Sequence, residues 1–528
     1  MTCHPLSVIS SQKGHIFFFM TKTLLIFIFL FSIQPLLFAQ KPAKPDSIQP
    51  GQGPAKKQLK DIKDKKVRLH SDVTGNEPKK STLIDSTKQN RYGDILNDDS
   101  LLNKRYPVWI PMLQVFGINA FVWSVNKYVL HSDFAEVNTG TWNNNIQKGW
   151  EWDNDRFGVN FVGHPYSGTL SFNAGRSNGY NYFQSFGFSV AGSLMWEYFG
   201  ENTRPSYNDI IYTPVNGALL GEMLYRLSSN ILDDRTHGME RVSREVAAGL
   251  IDPVRGLNRL IQGKSFRKTN KEVYQKEPLN ISLYGGLHYI NDGNAPSKMI
   301  NFQFDYGNPF EKRTRKPFDF FKFRADLNFG VGRKILDNVT GYGILFGKNS
   351  QMGKLAILAG GFQYYDYWDN KTFELGAIGF GGGVFTKLPI NKTFDLYTNV
   401  HLAAVPFAGN STQRGPDTTQ VRDYNYGGGL EGKVESTINI GKFATASIVY
   451  YYYLIHTYVG VPGNNFIGIL KPRVTVRLYK SVNLGFEHFI YSSDRYTLNL
   501  PATHSIKTEQ KIFLMFYLED RQRKGRYN

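Results

Sequence analysis

Over the second half of the chain, apolar side chains recur at every second residue. Phe321, Phe323, Ala325, Leu327, Phe329 and Val331 alternate with Lys322, Arg324, Asp326, Asn328 and Gly330. Ile300, Phe302, Phe304 and Tyr306 alternate with Asn301, Gln303, Asp305 and Gly307. Val474, Val476 and Leu478 alternate with Arg473, Thr475 and Arg477, and Ile512, Leu514, Phe516 and Leu518 close the series. A period of two belongs to strands, because successive side chains point to opposite faces. There are about twelve such segments of roughly ten residues, the length a tilted transmembrane strand needs. Hydrocarbon tolerates no open sheet edge, so strands that span must close on themselves.

The fold class expected is therefore a β-rich membrane protein. It is an antiparallel up-and-down outer-membrane β-barrel of about twelve strands, over residues 279–519, behind an α-helical domain. A soluble sandwich also has one apolar and one polar face and is the rival. The absence of helices between the segments favours the barrel. So does an apolar face rich in Phe, Leu and Tyr, and so does the export signal described below. One feature departs from the pattern: Leu518 is followed by Glu519 and a basic tail, residues 520–528, where such barrels often end on an aromatic residue.

The polar face carries Lys322, Arg324, Asp326, Glu431, Lys433, Glu435, Lys471, Arg473, Arg477 and Glu487. An ionisable group facing lipid costs about 2.5–3.5 kcal/mol, so these face a lumen. An ion-paired filling is the first reading of that lumen, and a selective pore the second.

Residues 24–37 form an apolar run behind Met20-Thr21-Lys22, too short for a span and ended by Ala39. This is a signal-peptide pattern, residues 1–39, with a cut after Ala39. Residues 1–19 read as an upstream start-site artefact. Cys3 is the only cysteine and precedes the cut, which excludes disulfides and thiolate chemistry in the mature chain. Residues 40–105 are rich in Lys, Asp, Pro, Ser and Gly, and read as a disordered basic periplasmic leader. The net charge of +18 suits acidic envelope polymers or lipid surfaces, and export excludes nucleic acid as the partner.

Residues 106–265 read as a helical domain. A first apolar stretch covers 106–130, and a helix over 183–199 places Ser189, Ser193, Glu197 and Glu201 on one face. Another helix is expected to start at Pro214, capped by Thr213, and to run to about Leu232. On it, Gly217 and Gly221 allow close backbone approach and Glu222–Arg226 form a pair four residues apart. A single amphipathic helix is expected from about Thr236 to Leu260, with Glu240–Arg244 and Arg241–Glu245 pairs.

This domain concentrates aromatics and carboxylates. His164, Glu197, Glu201, Asp209 and Glu222 form a His-plus-carboxylate set able to hold a divalent metal or to pair a base with an acid. Their spacing matches no zinc signature, which leaves any metal unassigned, and no cofactor motif is present. His164 precedes Pro165, which predicts extended backbone in a turn and a structural role. Glu197 needs a partner, for which Arg176 or Arg204 is the natural choice. Glu197, His164 and Asp209 are the catalytic candidates. Asp153, Asp155, Arg176, Glu201, Arg204, Glu222 and Arg226 complete the polar set.

The run Trp152-Asp153-Asn154-Asp155-Arg156-Phe157, Asn160, His164-Pro165, Gly168, Arg176, Gly179, Ser193, Trp196-Glu197, Glu201, Pro205-Ser206, Asn208-Asp209, Thr213, Gly217, Gly221-Glu222 resembles an uncharacterised bacterial envelope family. That family is a domain of unknown function in exported proteins of bacteria with two membranes. The resemblance covers roughly residues 110–235, and departs from the family in having Gly175 where Ala precedes the Arg. It implies an envelope location and a unitary domain, and it names no catalytic residue.

The function expected is that of an outer-membrane barrel protein handling or sensing lipid or solute. Its partner is outer-membrane lipid, with peptidoglycan or an acidic polymer reached through the basic leader. The alternative is a hydrolase acting on envelope lipid or glycan through Glu197, His164 and Asp209. A second alternative is a structural or interaction protein of the envelope.

Overall fold

A computed structural model describes residues 105–519, apart from 271, 292–294, 331–333, 371 and 412–423. The signal peptide, the leader up to residue 104, Val331 and the tail from residue 520 lie outside the described residues. The strands are β1 (Leu279–Ile290), β2 (Ser297–Tyr306), β3 (Phe321–Asn328), β4 (Leu336–Met352), β5 (Leu355–Asp369) and β6 (Glu374–Pro389). They continue with β7 (Phe394–Ser411), β8 (Tyr424–Ile440), β9 (Ala444–Val459), β10 (Gly463–Tyr479), β11 (Val482–Thr497) and β12 (Thr503–Leu518). Each pairs antiparallel with its chain neighbours and β12 pairs with β1, so the sheet is a closed twelve-stranded meander. The period-two reading is borne out in kind and in number. Phe329, read as part of the third row, falls beyond the end of β3.

The strands start and finish at the same end, here called the terminal end. Most of its turns are short, as at Gly353 and Gly441, both with positive φ, and the β2–β3 connection, residues 307–320, is the long one. At the opposite, far end β7 and β8 are joined by residues 412–423. Pairing partners share a face, which separates the two rows of each strand. Lys322, Arg324, Tyr364, Asp366, Lys433 and Glu435 point inward, and Phe321, Phe323, Tyr365, Tyr367, Leu402 and Leu430 point outward.

The helices are α1 (Trp109–Tyr128), α2 (Thr139–Lys148), α3 (His164–Ser177), α4 (Tyr182–Phe199), α5 (Tyr207–Ile231), α6 (Gly238–Ile251) and α7 (Pro253–Ile261). They form a bundle outside the barrel. One hydrophobic core joins Phe161, Phe172, Tyr212, Leu219, Met223 and Leu227 of the bundle to Phe302, Phe304, Phe321, Phe323, Tyr365, Ile378, Phe407 and Tyr426, all on outward rows. At the far end Tyr212 meets Phe407 at 5.6 Å. At the terminal end Arg226 pairs with Asp319 at 3.1 Å, and Asn230 donates to the Glu277 carbonyl. Helix α5, 25 residues long, therefore runs the height of the wall, roughly 37 Å at 1.5 Å per residue.

Three helical expectations need correction. Pro214 does not open a helix. It lies inside α5, which starts at Tyr207 with Ser206 at the N-cap position. The first turns are held from outside by a parallel bridge between Glu151 and Ser206, so they form ahead of the proline that would otherwise stop them. The expected helix from Thr236 to Leu260 is two helices. Asp252 accepts from the Arg255 N–H and caps α7, with Pro253 in its first turn. His164 is not extended. It opens α3 at φ −61° and ψ −45°, directly after a π-helical turn, Val159–Gly163, that already carries helical backbone into it.

The bundle is packed through small residues. Gly217 faces the backbone of Gly168, Gly221 faces Phe172, and Gly192 faces Ser171. The Ser189 hydroxyl donates to the Gly168 carbonyl at 2.8 Å. Close helix approach through small and hydroxylated residues is the packing used where lipid, not water, is the competing solvent. Polarity is reversed along with it. On α6 and α7, Arg241, Arg255 and Arg259 are buried, while Met239, Val242, Val246, Leu257, Leu260 and Ile261 are exposed. Trp109, Leu113, Phe116 and Phe121 of α1 are exposed as well.

A Cβ on Gly217 would stand 2.5 Å from the Gly168 carbonyl carbon. G217L is expected to cost the bundle about 1–3 kcal/mol or more through overpacking. Limited proteolysis should show the bundle cut while the barrel keeps its heat-modifiable gel migration.

Candidate functional site

At the far end a loop, residues 149–157, is pinned to the start of α5. The Glu151 N–H donates to the Pro205 carbonyl, and the Tyr207 N–H donates to the Glu151 carbonyl, both at 2.9 Å. Trp152 stacks on Phe407 at 5.8 Å and tilts against Tyr426 at 5.0 Å, which ties the loop to the outer wall. This places Asp153 under four side-chain donors. Asn160 at 2.8 Å and the Tyr426 hydroxyl at 2.9 Å donate to one oxygen, and Asn208 at 2.8 Å and Ser206 at 3.4 Å to the other. Burial opposes its charge. Hydrogen bonds with Asp209, Asn208 and Asn160, with the charge of His164, more than offset that and hold its carboxyl below the usual range.

His164 enters from the start of α3. Its Nε2 lies 3.5 Å from Asp155 Oδ2 and 3.6 Å from Asp209 Oδ1. Glu197, near the end of α4, is buried and accepts from the Ser206 N–H at 2.7 Å. Glu201 follows α4 in the rim. Burial, with the charges of Glu197, Asp155 and Asp153, raises its carboxyl well above the usual range. The three catalytic candidates thus share one neighbourhood, with Asp153 and Asp155 beside them. Such a constellation can hold a cation, or move a proton between an imidazole and a carboxyl.

Glu222, Arg176 and Arg226 of the predicted set lie elsewhere. Glu222 sits toward the terminal end of α5. It takes two hydrogen bonds from Arg176, at 2.6 and 3.1 Å, and one from Arg226 at 2.9 Å. Arg204 pairs with Glu151 at 3.1 Å. Neither arginine is the partner of Glu197, whose carboxyl accepts from a backbone N–H instead. The residues that fix Asp153 were missed. Asn160 and Asn208 lie within the resembling run, but Tyr424 and Tyr426 come from the barrel. No spacing rule links them to a loop some 270 positions earlier.

The lumen holds a second polar region. Arg324 of β3 binds Asp326 at 2.8 Å and reaches across to Glu487 of β11 at 3.0 Å. Lys322 crosses to Glu435 of β8 at 3.0 Å, Lys511 binds Asp326 at 3.0 Å, and Lys433 binds Asp366. Arg473 meets Glu487 at 3.2 Å, and Glu431 lies beside Lys433 at 3.3 Å. Arg477 also faces inward, its Nε without a hydrogen-bond partner among the described residues. Toward the far end the interior is filled by Trp368, Phe373, Tyr453, Ile455, Phe489 and Tyr491, all buried. What stays open is a vestibule of about 1350 Å³ lined at the terminal end by Asn308, Tyr397, Asn439, Lys442 and Tyr517.

Residues 149–254 match the profile of a domain of unknown function, DUF3943. The match starts later than the resemblance read from the sequence and takes in α6. No curated protein matches the chain in sequence. Among solved structures, the chain is similar to the NanC porin, with a TM-score of 0.25 and 9% identity over 45% of this chain and 100% of that one. It is similar to the outer-membrane channel DcaP of Acinetobacter baumannii at a TM-score of 0.22 and 7% identity, over 46% and 96%. For OmpT of Vibrio cholerae the values are 0.22 and 10%, over 46% and 96%.

Removing Arg324 leaves Asp326 and Glu487 buried with one cation fewer each. R324M is expected to cost about 3–5 kcal/mol, the range for breaking a buried ion pair from one side. A urea titration of the refolded barrel should show the midpoint fall accordingly.

Proposed function

We propose that this is an outer-membrane protein that handles envelope lipid on the outside of its barrel, and that its lumen is no diffusion pore. The observation that carries this reading is the reversed polarity of the bundle. A helix in water turns its charges out, whereas α6 and α7 turn arginines in and leucine, valine and isoleucine out. The apolar belt of the uncovered wall, with Leu402, Leu430, Leu484, Phe486 and Leu514 exposed, continues that surface. A monomer in water rarely exposes so large a contiguous apolar area. Lipid against both wall and bundle accounts for it, and puts the Asp153–His164 cluster at one rim of the bilayer. The cross-lumen ion pairs and the aromatic filling argue against free passage of solute.

A second reading is hydrolysis of that lipid, favoured by the half-exposed Asp155 beside His164. In it, His164 takes a proton from water, Asp209 orients the imidazole, and Glu197 supplies the acid. The basic leader, with its acidic polymer partner, stays a separate proposal.

The only native cysteine is Cys3, so single cysteines can be labelled in a C3S chain. An environment-sensitive dye at L257C, I261C or L402C is expected to be quenched by brominated phospholipid, and the dye at K442C is not. Quenching at Leu402 alone, with water-like emission at Leu257 and Ile261, would refute the lipid-facing bundle. For the enzymatic reading, E197Q and H164Q should lower product release from outer-membrane lipid by about 100-fold or more while the barrel stays folded. Wild-type protein that releases nothing ends that reading and leaves the first intact.

A further inference from the structure

We propose that the rim cluster is a divalent metal site, with Asp153, Asp155 and His164 as ligands and Asp209 as a fourth donor. One oxygen from each of the two aspartates and a ring nitrogen of His164 all lie within 4.8 Å of one another. Among the described residues, His164 Nε2 is enclosed and makes no close hydrogen bond. It nevertheless points between two carboxylates, at 3.5 Å from Asp155 and 3.6 Å from Asp209. Those separations are longer than the roughly 2.7–3.2 Å of ordinary N–H···O hydrogen bonds. They are the separations of donors around a shared ion: ligands at about 2.0–2.2 Å from a metal stand roughly 3–3.6 Å apart in tetrahedral or octahedral geometry.

Charge supports the same assignment. Asp153, Asp155, Asp209 and Glu197 crowd one imidazole, and carboxylates packed this closely repel unless a cation or a proton intervenes. The Arg204 guanidinium, close by at the rim, is engaged with Glu151. The outer donors fit as well. Asn160, Asn208 and Tyr426 fix the Asp153 carboxylate by hydrogen bonds, the way ligating carboxylates are usually held. The Asp155 side chain is 44% exposed, which leaves one side of the site open to water or to a headgroup phosphate. Carboxylate oxygens with one imidazole nitrogen, and no thiolate, suit zinc or manganese better than calcium. The ion is independent of whether lipid is what the protein acts on.

The test uses the untagged full chain, purified in detergent and stripped with a chelator. Calorimetry with ZnCl2, MnCl2 and CaCl2 is expected to give one site per chain, filled by zinc or manganese. Zinc or manganese affinity should fall at least tenfold in D155N and in H164Q. It should be unchanged in H504Q, which removes an exposed His–Asp pair of the barrel as a control for surface binding. Cobalt titration supplies a readout that needs no variant: visible bands of a nitrogen- and oxygen-ligated ion should appear at one equivalent and vanish in H164Q. The proposal is overturned if the wild-type chain binds no ion stoichiometrically. It is equally overturned if binding is unchanged in both D155N and H164Q, or if only H504Q loses it. Heat-modifiable migration checks that each variant is folded. Should D155N not fold, H164Q and the cobalt spectrum decide alone.

Discussion

A surface that meets acyl chains cannot carry charge, and in the lipid-facing arrangement proposed for this protein that surface includes the helices as well as the strands. Every ionic group of α6 and α7 that is not at an end must therefore find its partner inside the bundle. Asp234 gathers Arg241 and Arg259, and Glu222 gathers Arg176 and Arg226. Buried pairs of this kind add little net stability, because desolvation consumes most of their attraction. They do impose one arrangement of helices, since any other leaves an unpaired charge in a medium with no water. The small residues on α3, α4 and α5 follow from the same condition. Lipid gives no hydrophobic reward for helix association, so contact between backbones has to supply it.

The barrel meets the condition differently. Its charges are turned to the lumen and tied across it, from β3 to β8 and from β3 to β11. The outer wall is thus divided into two sectors that look alike in sequence. Phe302 and Phe321 are packed under helices, and Leu484 and Phe486 are bare. Both sectors read as the same alternation.

That identity marks how far sequence reasoning reaches. Period-two alternation gives strands, their number and closure, because each follows from local spacing and one rule about lipid. It cannot say which outward row meets a helix, since Phe serves both neighbours equally well. In the bundle, the i, i+4 pairs Glu240–Arg244, Arg241–Glu245 and Glu222–Arg226 are legible because they lie within one turn. The Arg176–Glu222 pair is not, because it joins two helices. The Asp252-Pro253 break could have been read from the proline alone. Pro214 misleads because tertiary contacts begin the helix before it. At the rim, His164, Glu197 and Asp209 stand out by residue type, whereas Asp153 is held in part by Tyr426 of the barrel, which no local pattern connects to it.

Helix α5 touches the rim cluster with its first turn and, with its last, the Pro317–Asp319 segment next to the vestibule mouth. A rod of that length, with most of its residues buried, spans the wall from one end of the barrel to the other. The rim cluster outside the barrel and the vestibule within it are thereby joined by one continuous element along the outside of the cylinder.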